Sequence, residues 1–314
     1  MKLLILGSNF GRYHLIAAIN SNTFSKISIA SPNINKKKIL NSINQYKNLK
    51  SAINNKERYS MLSITTPPFT QHKILDFILK KKLFPKFLFL EKPILNKSIL
   101  LLKRFPTKCL FLTNFIFSFN KKWIFFKKKI QNSSNINYFD YTWYFKQYYF
   151  FNKKKTWKIN PKQGGGLVNY YLPHAIFNIL NNFRNARFLK INKKKYYKNN
   201  LIYLDIIFLL NKNQCHLKIS NNSKINLHKF IFISNNVKYT LVNNTKNWLS
   251  NFKVFKNNQQ LYKIRCNNQK KDRVGELLNV YSNLNKYYNS KNILLNKELT
   301  FKTFKIINSI KKKI

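Results

Sequence analysis

Few glycines, few acids and few cysteines mark this sequence. Of six glycines in 314 residues, five stand in two places: Gly7 and Gly11 near the start, and Gly164, Gly165 and Gly166 further on. A chain that otherwise avoids glycine keeps it where a side chain has no room or where φ must be positive. Only eight residues are acidic, against 59 Lys and Arg, so each acid is a rare choice. The three cysteines, Cys109, Cys215 and Cys266, have no paired spacing. They give no sign of a disulfide framework or a zinc site, and they fit a reducing cytoplasm. No stretch approaches the ~18 apolar residues of a membrane helix. The opening MKLLILGSNF has an apolar run too short for a signal peptide, and it ends in a glycine turn.

Core-forming residues, by contrast, are plentiful. Hydrophobic residues make up 44% of the chain and aromatics 16%. That is enough for two domains or one large one, and too much for a disordered basic tail. The formal net charge of +51 taken literally points to nucleic acid or an anionic membrane. Two features weigh against that. The lysines run along the whole chain, and Lys, Asn, Ile, Phe and Tyr are in excess while Gly, Ala, Pro and Arg are scarce. This is the pattern of a strongly AT-biased coding sequence. We therefore expect no specific nucleic-acid partner and no membrane partner, with selected polyanion binding as the competing reading.

Residues 2–6, KLLIL, read as a strand buried on both faces. GSNFGRYH and the helical LIAAIN follow. Strand, glycine turn and helix resemble the dinucleotide-binding turn, in which pyrophosphate rests on backbone N–H groups at a helix start. The G-x-G-x-x-G spacing is incomplete, with Leu6 and Ser8 flanking Gly7, so an ordinary βα turn stays open. Residues 26–30, KISIA, form the next strand, followed by Ser31, Pro32 and Asn33, then Lys36, Lys37 and Lys38. An NAD site ordinarily has an acid near this strand end, bonded to the ribose 2′-OH. Here the first acid in the chain is Glu57. A hydroxyl, an amide and nearby cations suit a 2′-phosphate, so NADP is expected, with NAD as the alternative if those lysines are general background.

Residues 61–65, MLSIT, form a strand broken by Thr66-Pro67-Pro68. Residues 87–90, FLFL, form another, ending in Glu91-Lys92-Pro93, and 110–114 the last. Helices open at Gln71-His72, running to about residue 82, and at 99–104. The alternation predicts a Rossmann-type doubly wound parallel α/β sheet. Ligands bind such sheets beyond the strands' carboxyl ends. The glycine turn, Ser31, Thr66-Pro67-Pro68 and Glu91-Lys92 all fall there.

Past residue 117 the pattern changes. A helix over 121–130 precedes aromatic and β-branched runs at 137–145, 201–210, 214–220, 229–234 and 238–242. These read as strands of a large, mostly antiparallel sheet. Lys/Asn-rich 192–200 reads as a loop and 298–310 as a helix. The expectation is a dinucleotide-binding domain over 1–117 and an α+β domain for substrate and oligomerisation over 118–314. Within the second, PKQGGGLVNYYLPHAIFN (161–178) sets a glycine run before Leu167, Val168, Leu172, Ala175, Ile176, Ile179 and Leu180 at near-helical spacing. His174 lies two turns into that helix. The stretch reads as one wall of an active-site cleft, or as a flexible loop before a core helix with a satisfied histidine.

Gly11 with His14, then TPPFTQH at 66–72, then EKP at 91–93, then TWKINPKQGGG leading to His174, follow one another in order. In that order they resemble the Gfo/Idh/MocA oxidoreductases, a two-domain NAD(P)-dependent family. The motifs cover roughly residues 1–180. The resemblance implies hydride transfer between a nicotinamide cofactor and a sugar-like or other small carbonyl or hydroxyl compound, in a homo-oligomer. Lys92 would reach the substrate oxygen beside the nicotinamide, and His174 would give or take its proton. Gly7, Ser8, Asn9, Phe10, Gly11, Ser31, Asn33, Thr66, Pro67, His72, Glu91 and Lys92 would hold the cofactor. Trp157, Asn169 and Tyr170 would line the substrate pocket. No metal is implied.

Those residue types suit the chemistry. A hydride moved to or from a carbon bearing oxygen needs a matched proton transfer on that oxygen. Histidine titrates near neutrality. Lysine titrates near ~10.4 in water, and burial and a cationic nicotinamide both lower that value. Many members carry an Asp four residues before the His, where this chain has Tyr170. That departure bears on the proton relay and keeps a non-catalytic dinucleotide-binding protein as the alternative. A basic nucleic-acid-binding protein is the third reading.

Overall fold

In the computed structural model, the described residues are 1–32, 43–54, 57–148, 152, 156–247, 249, 251–261, 272–284 and 291–314. The chain folds into two compact units: Met1–Asn114 with Arg273–Phe301, and Phe115–Asp272 with Lys302–Ile314. The sequence boundary at 117 lies close to the first crossing. Residues 273–301, expected in the second domain, fall in the first unit. The physical reason is side-chain pairing over long sequence distance: the Tyr281 hydroxyl lies 2.6 Å from His14 Nδ1, and Asn296 Oδ1 accepts from the Thr113 N–H at 3.1 Å.

The first unit is a doubly wound α/β sheet. Its strands are β1 (Lys2–Leu6), β2 (Lys26–Ala30), β3 (Asn44–Tyr46), β4 (Met61–Ile64), β5 (Phe87–Glu91) and β6 (Leu110–Asn114). They lie in the order β3-β2-β1-β4-β5-β6, and every neighbouring pair is parallel. Leu3, Leu4, Ile5, Phe89 and Leu90 are fully buried. These strands are covered on both faces, so they read as unbroken apolar runs. Strand β3 was not expected from sequence; NQY is short and carries no apolar alternation. Helices α1 (Gly11–Asn20), α2 (Leu49–Asn54), α3 (Pro68–Lys80) and α4 (Asn96–Lys103) belong to this unit. In α3, Pro68 stands in the first turn, where its missing N–H costs nothing, and Gln71, Leu75 and Ile78 form the buried stripe.

The second unit is built on an eight-stranded sheet. Its strands are β7 (Ile136–Lys146), β8 (Arg187–Tyr197), β9 (Asn200–Leu210), β10 (Asn213–Ser220), β11 (Asn222–Ser234), β12 (Val237–Asn243), β13 (Lys253–Lys256) and β14 (Gln259–Gln260). The order is β14-β13-β12-β11-β7-β10-β9-β8, antiparallel throughout except for the parallel pair β7 and β10. Phe139, Tyr141 and Trp143 alternate inward along β7, as a strand with one face on a core requires. Helix α5 (Lys121–Gln131) starts at Asn120, whose side chain accepts from the Lys122 and Trp123 N–H groups, a standard N-cap. Its Trp123, Phe126 and Ile130 are buried, and Phe126 meets Phe230 and Phe232 with ring centroids 5.8 and 5.3 Å apart.

Residues 192–200, expected as a loop, are mostly strand: β8 runs to Tyr197 and pairs with β9. It is an edge strand whose lysines face solvent. Such a strand takes its order from its neighbour's backbone rather than from an apolar pattern, and lysine on an edge discourages further pairing. The short β13 and β14, of four and two residues, are too brief to show an alternation.

The glycine shortage has a structural answer. Among the described residues, ten non-glycine positions have positive φ, and eight of them are Asn. The hairpin turns Lys198-Asn199, Asn235-Asn236 and Asn257-Asn258 have positive φ at both central residues, as a two-residue type I′ turn demands. Asparagine tolerates this region at the smallest cost after glycine. The turns that other chains give to glycine are therefore made here by asparagine.

The last helices are α6 (Leu172–Asn182), α7 (Asp272–Ser282) and α8 (Lys291–Lys311). No helix among the described residues is long and apolar enough to cross a membrane. Cys109 and Cys215 are buried free thiols, and Cys266 lies outside the described residues.

Candidate active site

In the first unit, parallel pairing brings the carboxyl ends of β1, β2, β4 and β5 to one edge. The turn Gly7–Gly11 joins β1 to α1 there. Gly7 has φ +113°, and a Cβ on it would lie 2.7 Å from Thr65 Oγ1. That position requires glycine for conformation and for space at once. Thr65 secures the turn from the neighbouring strand end: its N–H donates to Leu6 O at 2.8 Å and its hydroxyl to the same oxygen at 2.9 Å. Gly11 opens α1, with Thr65 Oγ1 and Ile5 Cγ2 each 3.2 Å from where its Cβ would stand. Ser8, Asn9 and Phe10 complete the turn.

Ser31, directly after β2, is buried, and its hydroxyl donates to Ser8 Oγ at 3.1 Å. The first two strand ends are thus tied by two of the nominated cofactor residues. Asn33 and Lys36–Lys38 lie outside the described residues. Thr66 and Pro67 join β4 to α3, with Pro67 at the N-cap. His72 turns toward α4, with Nδ1 3.3 Å from Ser98 Oγ. Burial, aided by the nearby Lys97 charge, holds its pKa below the ordinary histidine value.

Glu91 ends β5 and is buried. Its Oε1 lies 2.9 Å from His14 Nε2 and accepts from Asn114 Nδ2 at 2.6 Å. A carboxylate here only accepts, so His14 Nε2 carries the proton. Burial by itself would push this acid up, but the His14 bond and charge, the Asn114 bond and the Arg273 charge outweigh it and hold the pKa below the carboxylate norm. Glu91 is therefore an inward-facing anion occupied by protein donors. A buried charge needs partners, and His14 and Asn114 supply them to this nominated cofactor residue. Lys92, half-buried, follows immediately at the strand end.

The second unit holds the other nominated residues. Gly164 and Gly166 have φ +90° and +75°. Gly165 is different: a Cβ there would lie 2.1 Å from the carbonyl oxygen of Trp157. Glycine was expected where a side chain has no room, and at Gly165 what leaves no room is the chain's own backbone. After it comes a π-turn over Leu167–Tyr171, and the Leu172 N–H reaches back to Leu167 O. A single continuous helix was expected. Pro173 explains the break, because it has no N–H to return and its ring would strike the preceding turn. π-turns within helices often accompany functional sites.

Trp157, Asn169 and Tyr170 do come together. The Trp157 and Tyr170 rings meet edge-on at 5.5 Å, and Asn169 Nδ2 donates to Pro161 O at 2.9 Å. His174, in α6, is buried among Phe115, Phe117 and Trp143, with ring centroids 5.9, 5.3 and 6.2 Å away. The same Phe117 and Trp143 rings also meet a histidine not singled out from the sequence. His228 is buried, stacks on Trp143 at 4.8 Å, and has Nε2 2.6 Å from the Tyr141 hydroxyl. Burial drives its pKa well below the ordinary value. Tyr281, Ser63 and Asn114 in the first unit were missed likewise. No sequence signal marks them, since each gains its role from a partner in another segment. Among the described residues no cluster could hold a metal ion.

A six-stranded parallel sheet with a glycine turn, in one chain with a large mostly antiparallel sheet, is a two-domain fold shared with solved dehydrogenases and oxidoreductases. No family model and no curated protein matches the sequence. Solved structures match over nearly the whole length. A dehydrogenase from Clostridium difficile is 11% identical, with 100% of this chain and 99% of that one covered and a TM-score of 0.71. The WlbA dehydrogenase from Bordetella pertussis, in complex with NADH and UDP-GlcNAcA, is 10% identical over 99% and 94%, with a TM-score of 0.73. An inositol dehydrogenase homologue from Azotobacter vinelandii, complexed with NAD+, is 9% identical over 99% and 95%, with a TM-score of 0.71. At such identities the likeness is one of fold.

Proposed function

We propose that the chain is an NAD(P)-dependent oxidoreductase that moves a hydride between a nicotinamide cofactor and a sugar-like or other small carbonyl or hydroxyl substrate. The observation that carries this is the shared edge of the parallel sheet: the Gly7 turn, the Ser8–Ser31 pair and Lys92 all stand at strand carboxyl ends. Open sheets of this kind bind ligands there. The site fits a dinucleotide on its own chemistry, because Gly7 lets the turn lie against Thr65, where any side chain would clash, Ser8 and Ser31 bring two hydroxyls to that edge, and α1 has no acid in its first turn. Gly7–Gly11 would hold the pyrophosphate and Ser31 the adenosine ribose. With no acid after β2, the proposal favours NADP over NAD.

The bound cofactor supplies or accepts the hydride. The protein's part is positioning and proton transfer. Lys92 is assigned to the substrate oxygen and His174 to the proton, worth ~10²–10⁴-fold in rate for a placed acid–base group. The dehydrogenases of shared fold support this reading. A soluble cytoplasmic homo-oligomer belongs to the same proposal, supported by the unpaired cysteines and the family resemblance.

The test is fluorescence titration with NADPH and NADH, followed by NAD(P)+ reduction on a panel of aldoses and polyols that includes D-galactose and myo-inositol. Absence of binding to either cofactor would refute it. Binding without turnover on any panel member would favour a non-catalytic dinucleotide-binding protein.

A further inference from the structure

Glu91 is gripped at two points. Its carboxylate is held by His14 and Asn114, and its main-chain carbonyl accepts from Gln71 Nε2 at 2.7 Å. His14 is itself fixed, with Nδ1 2.6 Å from the Tyr281 hydroxyl and 2.9 Å from Ser63 Oγ. The phenol is kept protonated, since burial pushes its pKa up. The holding groups come from α1, β4, α3, β6 and α7, all within the first unit, and all are buried. Arg273 adds a positive charge that acts on the same carboxylate.

Such a network is a poor way to gain stability, because desolvating a buried carboxylate can cost as much as its partners return. The chain has only eight acids, and a leucine at this position would cost no desolvation. What the network does provide is fixed geometry at one residue, the one directly before Lys92. We propose that His14 and Gln71 are positioning residues for Lys92. His14 holds the Glu91 side chain and Gln71 holds its carbonyl, so the backbone from which Lys92 projects cannot rotate. The proposal rests on the reading of Lys92 as the group beside the nicotinamide.

The test needs no substrate. Competitive acetylation of the full chain, resolved by peptide mass spectrometry, reads the pH profile of the Lys92 amine beside that of exposed Lys97. In His14→Leu and Gln71→Leu, the Lys92 profile is expected to move toward that of Lys97. In His14→Gln, whose amide can still donate to Glu91, it is expected to stay with wild type. A merely structural role would lower melting temperature in all three and move no profile. If His14→Leu does not fold, Gln71→Leu carries the test, since it removes a neutral donor only. Wild-type profiles in both folded leucine variants, or equal shifts in His14→Leu and His14→Gln, would overturn the positioning role. Saturating NADP+ tests the underlying reading separately. It is expected to lower the wild-type Lys92 profile by about one pH unit through the nicotinamide charge. A profile indifferent to NADP+ ends that reading, while shifts in the leucine variants would still support positioning.

Discussion

A Cβ on Gly165 would stand 2.1 Å from the carbonyl oxygen of Trp157. Both partners are backbone, so neither can swing aside. Gly165→Ala is expected to cost roughly 1–3 kcal/mol, as overpacking does, by urea denaturation. Gly275 in α7 has nothing within 4 Å of its Cβ position, so Gly275→Ala should stabilise by ~0.5–1 kcal/mol. If both substitutions move stability equally, the close contact has no energetic meaning.

Cofactor choice follows from the edge of the first sheet. NADPH should bind about tenfold or more tightly than NADH, the yield of one or two charge-assisted hydrogen bonds at ~1.5–3 kcal/mol each. Titration that gives equal affinities would place Lys36–Lys38 in the general lysine background.

The proposed function gives Lys92 and His174 separate roles, each with its own test. Lys92→Ala should lower turnover strongly with cofactor affinity nearly unchanged, and His174→Ala should cost ~10²–10⁴-fold. Turnover of the double variant tests whether the two act as a unit, in which case it should be little worse than the poorer single. The aromatic surroundings of His174 also suit a purely structural histidine. In that case His174→Ala would lose ~1–3 kcal/mol of stability and keep the turnover of its folded fraction. Melting temperature measured beside turnover decides.

His228 makes stability depend on pH. Its native pKa is depressed by burial, so in mild acid the unfolded chain binds a proton that the folded one refuses, and stability falls as pH drops below about 6.5. Between about pH 7.5 and about pH 5.5 this one group should remove ~1.4 kcal/mol. His228→Phe should lose that part of the slope, even though removing the partner of the Tyr141 hydroxyl lowers its stability throughout. Denaturant melts at the two pH values compare the slopes, and identical slopes would contradict the assignment.

The first unit was largely legible because its strands are covered on both faces. Continuous runs such as KLLIL and FLFLE cannot be anything but buried, and their carboxyl ends coincide once the strands are parallel. The glycines were legible as well, since φ +113° at Gly7 and the crowding at Gly165 leave almost no other residue. The turns were not foreseen, and only the structure shows asparagine at most of the positive-φ positions among the described residues. Tertiary structure alone decided the rest. Edge strands such as β8 carry no apolar alternation, because their order comes from a neighbour's hydrogen bonds. The inward turn of Glu91 depends on Asn114 and on His14, itself held by Tyr281 267 residues away in the chain. The burial of His228 depends on Trp143 and Tyr141 from another strand. A side chain's ionisation and direction are set by what packs against it, and in this fold those partners come from segments that no local pattern connects.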